Sequence, residues 1–271
     1  MTVGVWIEPG ACAFPIGPGA SRMSIEELSI QRPAPKPLEL TCSALFLDLD
    51  GTLAPIAARP QDVHPDPRRT DLLERLAEAL EGRLAVVTGR TLADADRILE
   101  GRVTAVAAVH GLVRRDAGGA LHEHAPHPKL HEATKALRTF AARDSGLLVE
   151  EKGLSVALHF RLARNCADAA RTCAQEMADQ TGLALQEGDM VEELRTPGPT
   201  KADSVEAFMA EPPFRGAVPI FLGDDATDED GFAAAQAMGG YGVLVGQARP
   251  TGARCRLADV EAALAWLEAA L

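Results

Sequence analysis

Two carboxylates end the first continuous apolar run of the chain. Residues 45–47 are all apolar, and Asp48 and Asp50 follow directly, before the pair Gly51-Thr52. Such a run is typical of a strand covered on both faces in a parallel sheet, whose ligands bind at the carboxyl ends of the strands. Two acids so close together repel each other unless a cation or a proton lies between them, so the pattern predicts a metal ion here. Paired acids alone are more often a solvated turn, and further stretches decide between the two interpretations.

Two later apolar runs also end in residues that can do chemistry. Residues 84–87 are followed by Thr88, and residues 219–222 are followed by a glycine and then Asp224. Because the carboxyl ends of parallel strands meet at one edge of a sheet, we expect Thr88 and Asp224 to lie beside the first two acids.

The side chains expected at this edge suit phosphoryl transfer. Carboxylate oxygens are good ligands for Mg²⁺, which shares its shell with substrate phosphate, and Asp48 and Asp224 are the natural ligands. Thr88 and Lys201 can surround the other phosphoryl oxygens. A carboxylate nucleophile would form an aspartyl-phosphate, and a second acid can pass a proton to the leaving hydroxyl and later take one from the attacking water.

The elements that must position these residues alternate between strand and helix. Apolar spacing predicts helices at residues 66–81 and 92–99, and a third apolar run, 103–109, ends at His110-Gly111. The same rhythm returns late in the chain, with a helix at 201–210, strands at 219–222 and 241–245, and a final helix at 258–271. Right-handed crossovers make these strands one parallel sheet, so the predicted fold class is α/β with a Rossmann-like core.

A segment of different character interrupts this core. From residue 112 the pattern changes to short strands at 112–115, 147–151 and 155–160, with helical spacing at 131–143 and 166–181. We therefore predict an inserted α+β domain at residues 112–197, between core segments 41–111 and 198–271. Residues 1–40 hold six prolines and are predicted to be a disordered tail, in which Met23 is an alternative start.

Charge and composition exclude several classes of partner. The formal net charge is −12, which disfavours nucleic acids and anionic membranes, and no apolar run is long enough to span a membrane. The five cysteines form no CxxC pair, and their odd number predicts reduced thiols in the cytoplasm.

Four motifs carry a family resemblance. The stretches DLDGT at 48–52, VTGR at 87–90, TK at 200–201 and GDDATDE at 223–229 resemble, in order and spacing, the motifs of haloacid-dehalogenase-superfamily phosphatases. Together with EEKGLSVALHFR at 150–161, the last motif is similar to that of the trehalose-6-phosphate phosphatases. The resemblance covers residues 45–271 and implies a haloacid-dehalogenase core with the inserted segment as its cap.

The resemblance implies a role for each core motif. Asp48 is the nucleophile and Asp50 the general acid and base, while Thr88 binds phosphate and Lys201 balances its charge. Magnesium is held by Asp48, by the backbone carbonyl of Asp50, and by Asp224.

The remaining implied positions contact the substrate or support the acids. They are Gly51, Arg90, His110, Gly111, Glu150, Lys152, His159, Arg161 and Glu193 for the substrate, and Asp225 and Asp228 in support. Two departures from the family pattern stand out: Thr88 replaces the usual serine, and one extra residue before Pro197 leaves Glu192 as an alternative to Glu193.

The resemblance implies a Mg²⁺-dependent phosphatase that converts trehalose 6-phosphate to trehalose and phosphate, with possible coupling to a trehalose-6-phosphate synthase. The alternatives are a phosphatase for sucrose phosphate or a mannosyl phosphate, or a non-catalytic sugar-phosphate-binding regulator. A binder needs neither a nucleophile nor an acid, so the presence of both Asp48 and Asp50 favours an enzyme.

Overall fold

Two β-sheets organise residues 32–271, the part of the chain that the computed structural model describes. Most of the predicted tail, including Met23, lies outside the described residues. The strands are β1 (Ser43–Leu47), β2 (Leu84–Val87), β3 (Ala105–Ala108), β4 (Val113–Arg115), β5 (Leu121–Glu123), β6 (Leu148–Glu151), β7 (Ser155–His159), β8 (Ala184–Gly188), β9 (Val191–Arg195), β10 (Val218–Gly223), β11 (Tyr241–Val245) and β12 (Cys255–Leu257). The helices are α1 (Pro67–Ala79), α2 (Leu92–Leu99), α3 (Leu130–Ala141), α4 (Ala167–Thr181), α5 (Lys201–Met209), α6 (Asp228–Ala237) and α7 (Val260–Glu268).

The larger sheet has β1 near its centre. Its order is β12-β11-β10-β1-β2-β3-β4-β5, and the six strands from β12 to β3 are parallel. Every residue of β1 and β2 is buried, and all of them except Ser43 are apolar, as expected of strands covered on both faces. Leu47 pairs with Leu222 on one side and with Val86 on the other, so β1, β10 and β2 end at the same edge. The predicted α/β class with a parallel core is confirmed.

The first strand pair of the predicted insertion belongs to the larger sheet. β4 pairs antiparallel with β3, and β5 pairs antiparallel with β4, so the expected domain start at residue 112 falls inside this sheet. The reason lies in the turn before β4, where His110 and Gly111 have φ angles of 56° and 105°. This left-handed turn reverses the chain, and Val113 then packs into the core beside β3.

The smaller sheet, of order β6-β7-β9-β8, is antiparallel throughout. Helices α3 and α4 cover one face, where Leu137, Val156, Leu158, Phe160 and Leu194 share an apolar core. The other face carries polar side chains toward the carboxyl edge of the larger sheet. Strands β8 and β9 were not predicted from the sequence, although the block was expected to run to residue 197.

Among the described residues, no helix has both the length and the apolar character needed to cross a membrane.

Candidate active site

A cleft between the two sheets collects most of the residues singled out from the sequence. Its lining includes Asp48, Asp50, Thr88, Arg90, His110, Lys201, Asp224 and Asp225 from the larger sheet, and Glu150, Lys152, His159, Arg161 and Glu193 from the smaller one. Two other predicted positions lie beside the cleft. Asp228 is fully buried behind Lys201, and Gly51 lies in an adjoining groove against Asp224.

Gly111 is not brought into the cleft lining. A Cβ at this position would lie 2.6 Å from the backbone oxygen of Thr200 and 2.5 Å from Ser204 Oγ, and φ is 105°. A side chain is therefore excluded by the close approach of the β3–β4 turn to the start of α5. This packing accounts for the glycine without any contact to a ligand.

Lys201 joins two of the acids at the floor of the cleft. Its Nζ donates to Asp48 Oδ1 at 2.9 Å and to Asp228 Oδ1 at 2.6 Å, and all three side chains are buried. Thr200 and Asp203 form a capping box that fixes the first turn of α5, and therefore the position of Lys201. Burial would lower the pKa of Lys201, but Asp228 and Asp48 outweigh it and raise this pKa well above its usual value. Lys201 is therefore a permanent positive charge in the site.

Three carboxylates crowd around this single ammonium group. One oxygen each from Asp48, Asp224 and Asp228 can be chosen so that all three lie within 4.8 Å of one another. Burial, followed by repulsion from Asp228 and Asp225, raises the pKa of Asp224 to about 8. Burial also raises the pKa of Asp48, although Lys201 opposes this. The cluster is short of positive charge and consists of hard oxygen donors, so it fits a divalent cation such as Mg²⁺.

Asp50 faces the cleft but lies outside this cluster. Its two oxygens accept from Arg90 Nε at 2.6 Å and from Arg90 Nη2 at 2.7 Å. Arg90 is itself buried and also donates to the backbone oxygen of Pro60 at 2.9 Å. Next to it, the buried hydroxyl of Thr88 accepts from the backbone N–H of Arg90. The second acid of the DLD motif is therefore fixed in direction by a two-pronged ion pair.

The smaller sheet touches the larger one through a buried polar network. Lys152 Nζ donates to Glu193 Oε2 at 2.6 Å and to the backbone oxygen of Gly89, in the loop after β2, at 3.0 Å. His110 Nε2 lies 3.6 Å from the same Glu193 oxygen, and Ser155 Oγ donates to Oε1 at 2.6 Å. Burial alone would raise the pKa of Glu193, but Lys152 and His110 hold it well below its usual range.

Two further pairs line the upper part of the cleft. His159 Nε2 lies 2.8 Å from Glu150 Oε2. Arg161 Nη2 lies 2.9 Å from Asp189 Oδ2 and donates to the backbone oxygen of Asp189 at 2.7 Å. Asp189 was not singled out from the sequence. Its neighbours Gln186 and Glu187 also line the cleft, and no continuous apolar run in the sequence marks the β8–β9 hairpin that carries them.

The structure distinguishes Glu193 from Glu192. In strand β9, Glu193 faces the cleft, whereas Glu192 lies on the helix-covered face with Leu194. Glu192 is 2% exposed, its Oε2 has no hydrogen-bond partner, and Arg171 Nε lies 3.6 Å from Oε1. Burial and then the facing Glu187 raise the pKa of Glu192 to about 7.

A Glu192→Gln variant is expected to be more stable than the parent at pH 8 and nearly equal to it at pH 5. The Glu192 carboxyl binds its proton more tightly in the folded protein than in the unfolded chain, where its pKa has the usual value of 4.5. The stability due to the protonated carboxyl is therefore present below pH 4.5 and is lost as the pH rises through about 7. Thermal melting of both proteins at the two pH values measures the difference. Glu176→Gln, an exposed change on α4, is the control, and a difference that fails to widen with pH contradicts the prediction.

Both the sequence and the fold of this chain are similar to those of known proteins. The family described as Trehalose-phosphatase matches residues 46–261. The trehalose-6-phosphate phosphatase of Escherichia coli K12 is 40% identical over 227 residues, which cover 83% of this chain and 85% of that protein. A crystal structure of a trehalose-6-phosphate phosphatase related protein superposes with a TM-score of 0.70 at 27% identity, covering 83% and 95% of the two chains. BT1666 from Bacteroides thetaiotaomicron, described among the phosphatases of the haloalkanoate (HAD) enzyme superfamily, shares the fold, with a TM-score of 0.57 at 17% identity over 84% and 93% of the chains.

Proposed function

This chain belongs to the trehalose-phosphatase family, and from that premise we propose that it hydrolyses trehalose 6-phosphate to trehalose and phosphate with Mg²⁺. The observation that carries the proposal is the meeting of Asp48, Asp224 and Lys201 at the floor of a cleft whose opposite wall is polar. The floor offers a nucleophile and fixed charges for any phosphate ester. The wall offers hydrogen-bonding groups for a sugar.

The cation site follows from the donor set. Asp48, Asp224 and the backbone carbonyl of Asp50 would hold Mg²⁺, and the ion would supply positive charge that offsets the phosphate charge. Asp228 lies in the same cluster, but Lys201 occupies one of its oxygens and two backbone N–H groups occupy the other. Asp228 therefore orients its neighbours.

The reaction uses the two acids of the DLD motif in turn. A carboxylate oxygen of Asp48 forms a bond to phosphorus while the ester bond breaks. The leaving sugar oxygen takes a proton from Asp50, which must first take up that proton and release one of its two hydrogen bonds from Arg90. Water then attacks the aspartyl-phosphate, gives a proton to Asp50, and releases phosphate and Asp48. Lys201 and the Thr88 hydroxyl bind phosphoryl oxygens in both steps.

The smaller sheet with α3 and α4 acts as the cap over the sugar. Glu150, Lys152, His159, Arg161 and Glu193 all project from it into the cleft. These groups bind sugar hydroxyls and, when the cap is closed, exclude water from the ester. Two cap residues already contact the core beside Thr88. Lys152 contacts Gly89, the next residue in the chain, and Glu193 contacts His110, which lies close to Thr88 in space.

Removal of a cap side chain is expected to reduce activity only for substrates that reach it. Losing one charged hydrogen bond weakens binding by about 1.5–3 kcal/mol, so Arg161→Ala should lower kcat/KM for trehalose 6-phosphate roughly 10- to 150-fold. Hydrolysis of a small aryl phosphate should barely change. Lys152→Ala should behave similarly, but it also leaves Glu193 without its lysine partner, so Arg161 gives the cleaner result.

Arg164→Ala is the matched control, because Arg164 is exposed in the loop just after Arg161. Equal losses on both substrates in Arg161→Ala would place this residue in the phosphate site or the fold, and would contradict a role in sugar recognition.

A phosphate-release assay tests the proposed function as a whole. The substrates are trehalose 6-phosphate, sucrose 6-phosphate, a mannosyl phosphate and glucose 6-phosphate, each with Mg²⁺ and with a chelator. We expect fastest release from trehalose 6-phosphate, and only with the cation present. Faster release from another sugar phosphate would overturn the substrate assignment, and binding of trehalose 6-phosphate without release from any substrate would overturn the enzymatic one.

A further inference from the structure

Arg249 contacts the loop of residues 224–227, called here the acidic loop, from outside the catalytic cleft. It lies in the loop after β11 and lines the adjoining groove, together with Asp224 and Asp225. Its Nη2 donates to the backbone oxygen of Asp225 at 2.7 Å and to that of Asp224 at 3.2 Å, and its Nε lies 3.3 Å from the latter oxygen. One guanidinium group therefore holds two successive carbonyls of the loop that carries the predicted cation ligand.

Glu229 fixes Arg249 in this position. Its Oε1 accepts from Arg249 Nη1 at 2.5 Å and from Thr251 Oγ1 at 2.8 Å, and its Oε2 accepts from the backbone N–H of Gly252 at 2.7 Å. Both charged side chains are about 30% exposed, at 29% and 30%. Glu229 thus does more than complement the first turn of α6, because it ties the loop of residues 249–252 to the acidic loop.

The acidic loop is held from the other side by Asp228. Asp228 Oδ2 accepts from the backbone N–H of Asp224 at 2.9 Å and from that of Asp225 at 3.2 Å. The peptide between Asp224 and Asp225 therefore has its N–H fixed by Asp228 and the carbonyl of Asp224 fixed by Arg249. Hydrogen bonds at both ends restrain the rotation of this peptide plane, and they therefore fix the direction in which the Asp224 side chain leaves the backbone.

The Asp224 carboxylate has little room to move. A Cβ at Gly51 would lie 2.0 Å from Asp224 Oδ2, so this oxygen rests against the backbone after Asp50. Small rotations of the Asp224–Asp225 peptide would push the carboxylate into that backbone or away from Asp48.

We propose that Arg249 is a positioning residue for cation binding, which holds Asp224 in the orientation that a divalent ion requires. The role of Asp224 as a ligand rests on the proposed function. That Arg249 and Asp228 hold the backbone of Asp224 rests on the hydrogen bonds described above. No motif of the family resemblance includes Arg249.

Because Arg249 is positively charged, the direction in which its removal changes the cation affinity tests the inference. A nearby positive charge repels a cation, so removing it would tighten cation binding if Arg249 acted only through its charge. Loss of a group that orients a metal ligand instead weakens binding, typically by about 10- to 100-fold. The two roles therefore predict opposite results for Arg249→Gln.

The experiment is calorimetric titration of the substrate-free protein with Mg²⁺ alone. We expect Arg249→Gln to weaken Mg²⁺ binding by about tenfold. Arg249→Lys keeps the positive charge but cannot donate to both backbone carbonyls in the same way, so we expect it to weaken Mg²⁺ binding severalfold. Arg254→Gln is the matched control, since Arg254 is exposed in the same loop and contacts Gln236 instead of the acids. Its Mg²⁺ affinity should equal that of the parent.

A second readout separates positioning from general damage. With an aryl phosphate, the Mg²⁺ concentration for half-maximal rate should rise about tenfold in Arg249→Gln while kcat at saturating Mg²⁺ stays within about threefold of the parent. Unchanged or tighter Mg²⁺ binding in Arg249→Gln overturns the inference. If that variant does not fold, unchanged binding in Arg249→Lys overturns it instead. Absence of Mg²⁺ binding in the parent protein would instead refute the cation assignment of the proposed function. This result differs from an effect seen only in the Arg249 variants.

Discussion

An Asp48→Asn variant is expected to lose trehalose 6-phosphate hydrolysis by about 10⁴-fold or more and to remain folded. Asparagine has the same shape as aspartate, but its amide cannot form the covalent bond to phosphorus. The substitution also removes one of three crowded carboxylates, while Lys201 keeps Asp228 at 2.6 Å. We therefore expect a melting temperature within a few degrees of the parent.

Two measurements decide this prediction. Phosphate release under saturating substrate gives the rate, and mass spectrometry of acid-quenched parent enzyme looks for one added phosphoryl group, which should be absent from the variant. Asp71→Asn, an exposed change on α1, controls for the loss of one carboxylate. A variant at position 48 that keeps a few per cent of parental activity would show that the nucleophile is another group.

An Asp50→Asn variant is expected to be slower by about 10²–10⁴-fold on trehalose 6-phosphate, which is the usual contribution of proton transfer. The sugar hydroxyl is a poor leaving group and needs a proton as the ester breaks. The amide oxygen can still accept one of the two hydrogen bonds from Arg90, and the amide NH2 cannot accept the other, so the variant keeps one of its two contacts to Arg90. The chemical loss should therefore be separable from structural damage.

The choice of leaving group supplies the control for this variant. A nitrophenyl phosphate releases nitrophenolate, which needs no proton to leave, so the first step should remain fast and give a burst of nitrophenolate, followed by slow hydrolysis of the phosphoenzyme. Stopped-flow absorbance measures that burst. If the first step is equally slow with both esters, Asp50 is not the acid.

The strands that carry the core acids could be predicted because burial on both faces leaves a clear trace. Residues 44–47 of β1, all of β2 and residues 220–222 of β10 are continuous apolar runs, and the polar residues after them mark one sheet edge. Strands β8 and β9 show no continuous apolar run, since residues 186–187 and 192–193 are polar. Gln186, Glu187 and Glu193 line the cleft, and Glu192 pairs with Arg171. A three-residue strand such as β12 is too short for any periodicity.

Partners across space were harder to predict than elements. The composition of β4 gives no sign that it would pair with β3, because the left-handed turn at His110-Gly111 decides that pairing. The choice between Glu192 and Glu193 likewise depended on the register of β9 against β7 and β8. Two important contacts join residues that are far apart in the chain: the ion pair of Arg90 with Asp50, and the hydrogen bonds from Arg249 to the acidic loop. Their spacing in the sequence holds no information about either contact.

The central position of β1 has a consequence for the order in which the protein can assemble during synthesis. β1 pairs on one side with β10, so that Ser43 meets Val218 across the whole cap. A nascent chain therefore displays one apolar edge of β1 unpaired until residues 218–223 leave the ribosome, while the local hairpins β6–β7 and β8–β9 can already close. A cap that folds first shortens the loop that remains to be closed, and so lowers its entropy cost. Asp48 and Asp224 can meet only once β10 has paired with β1, which is also when this edge of β1 ceases to be a site for aggregation.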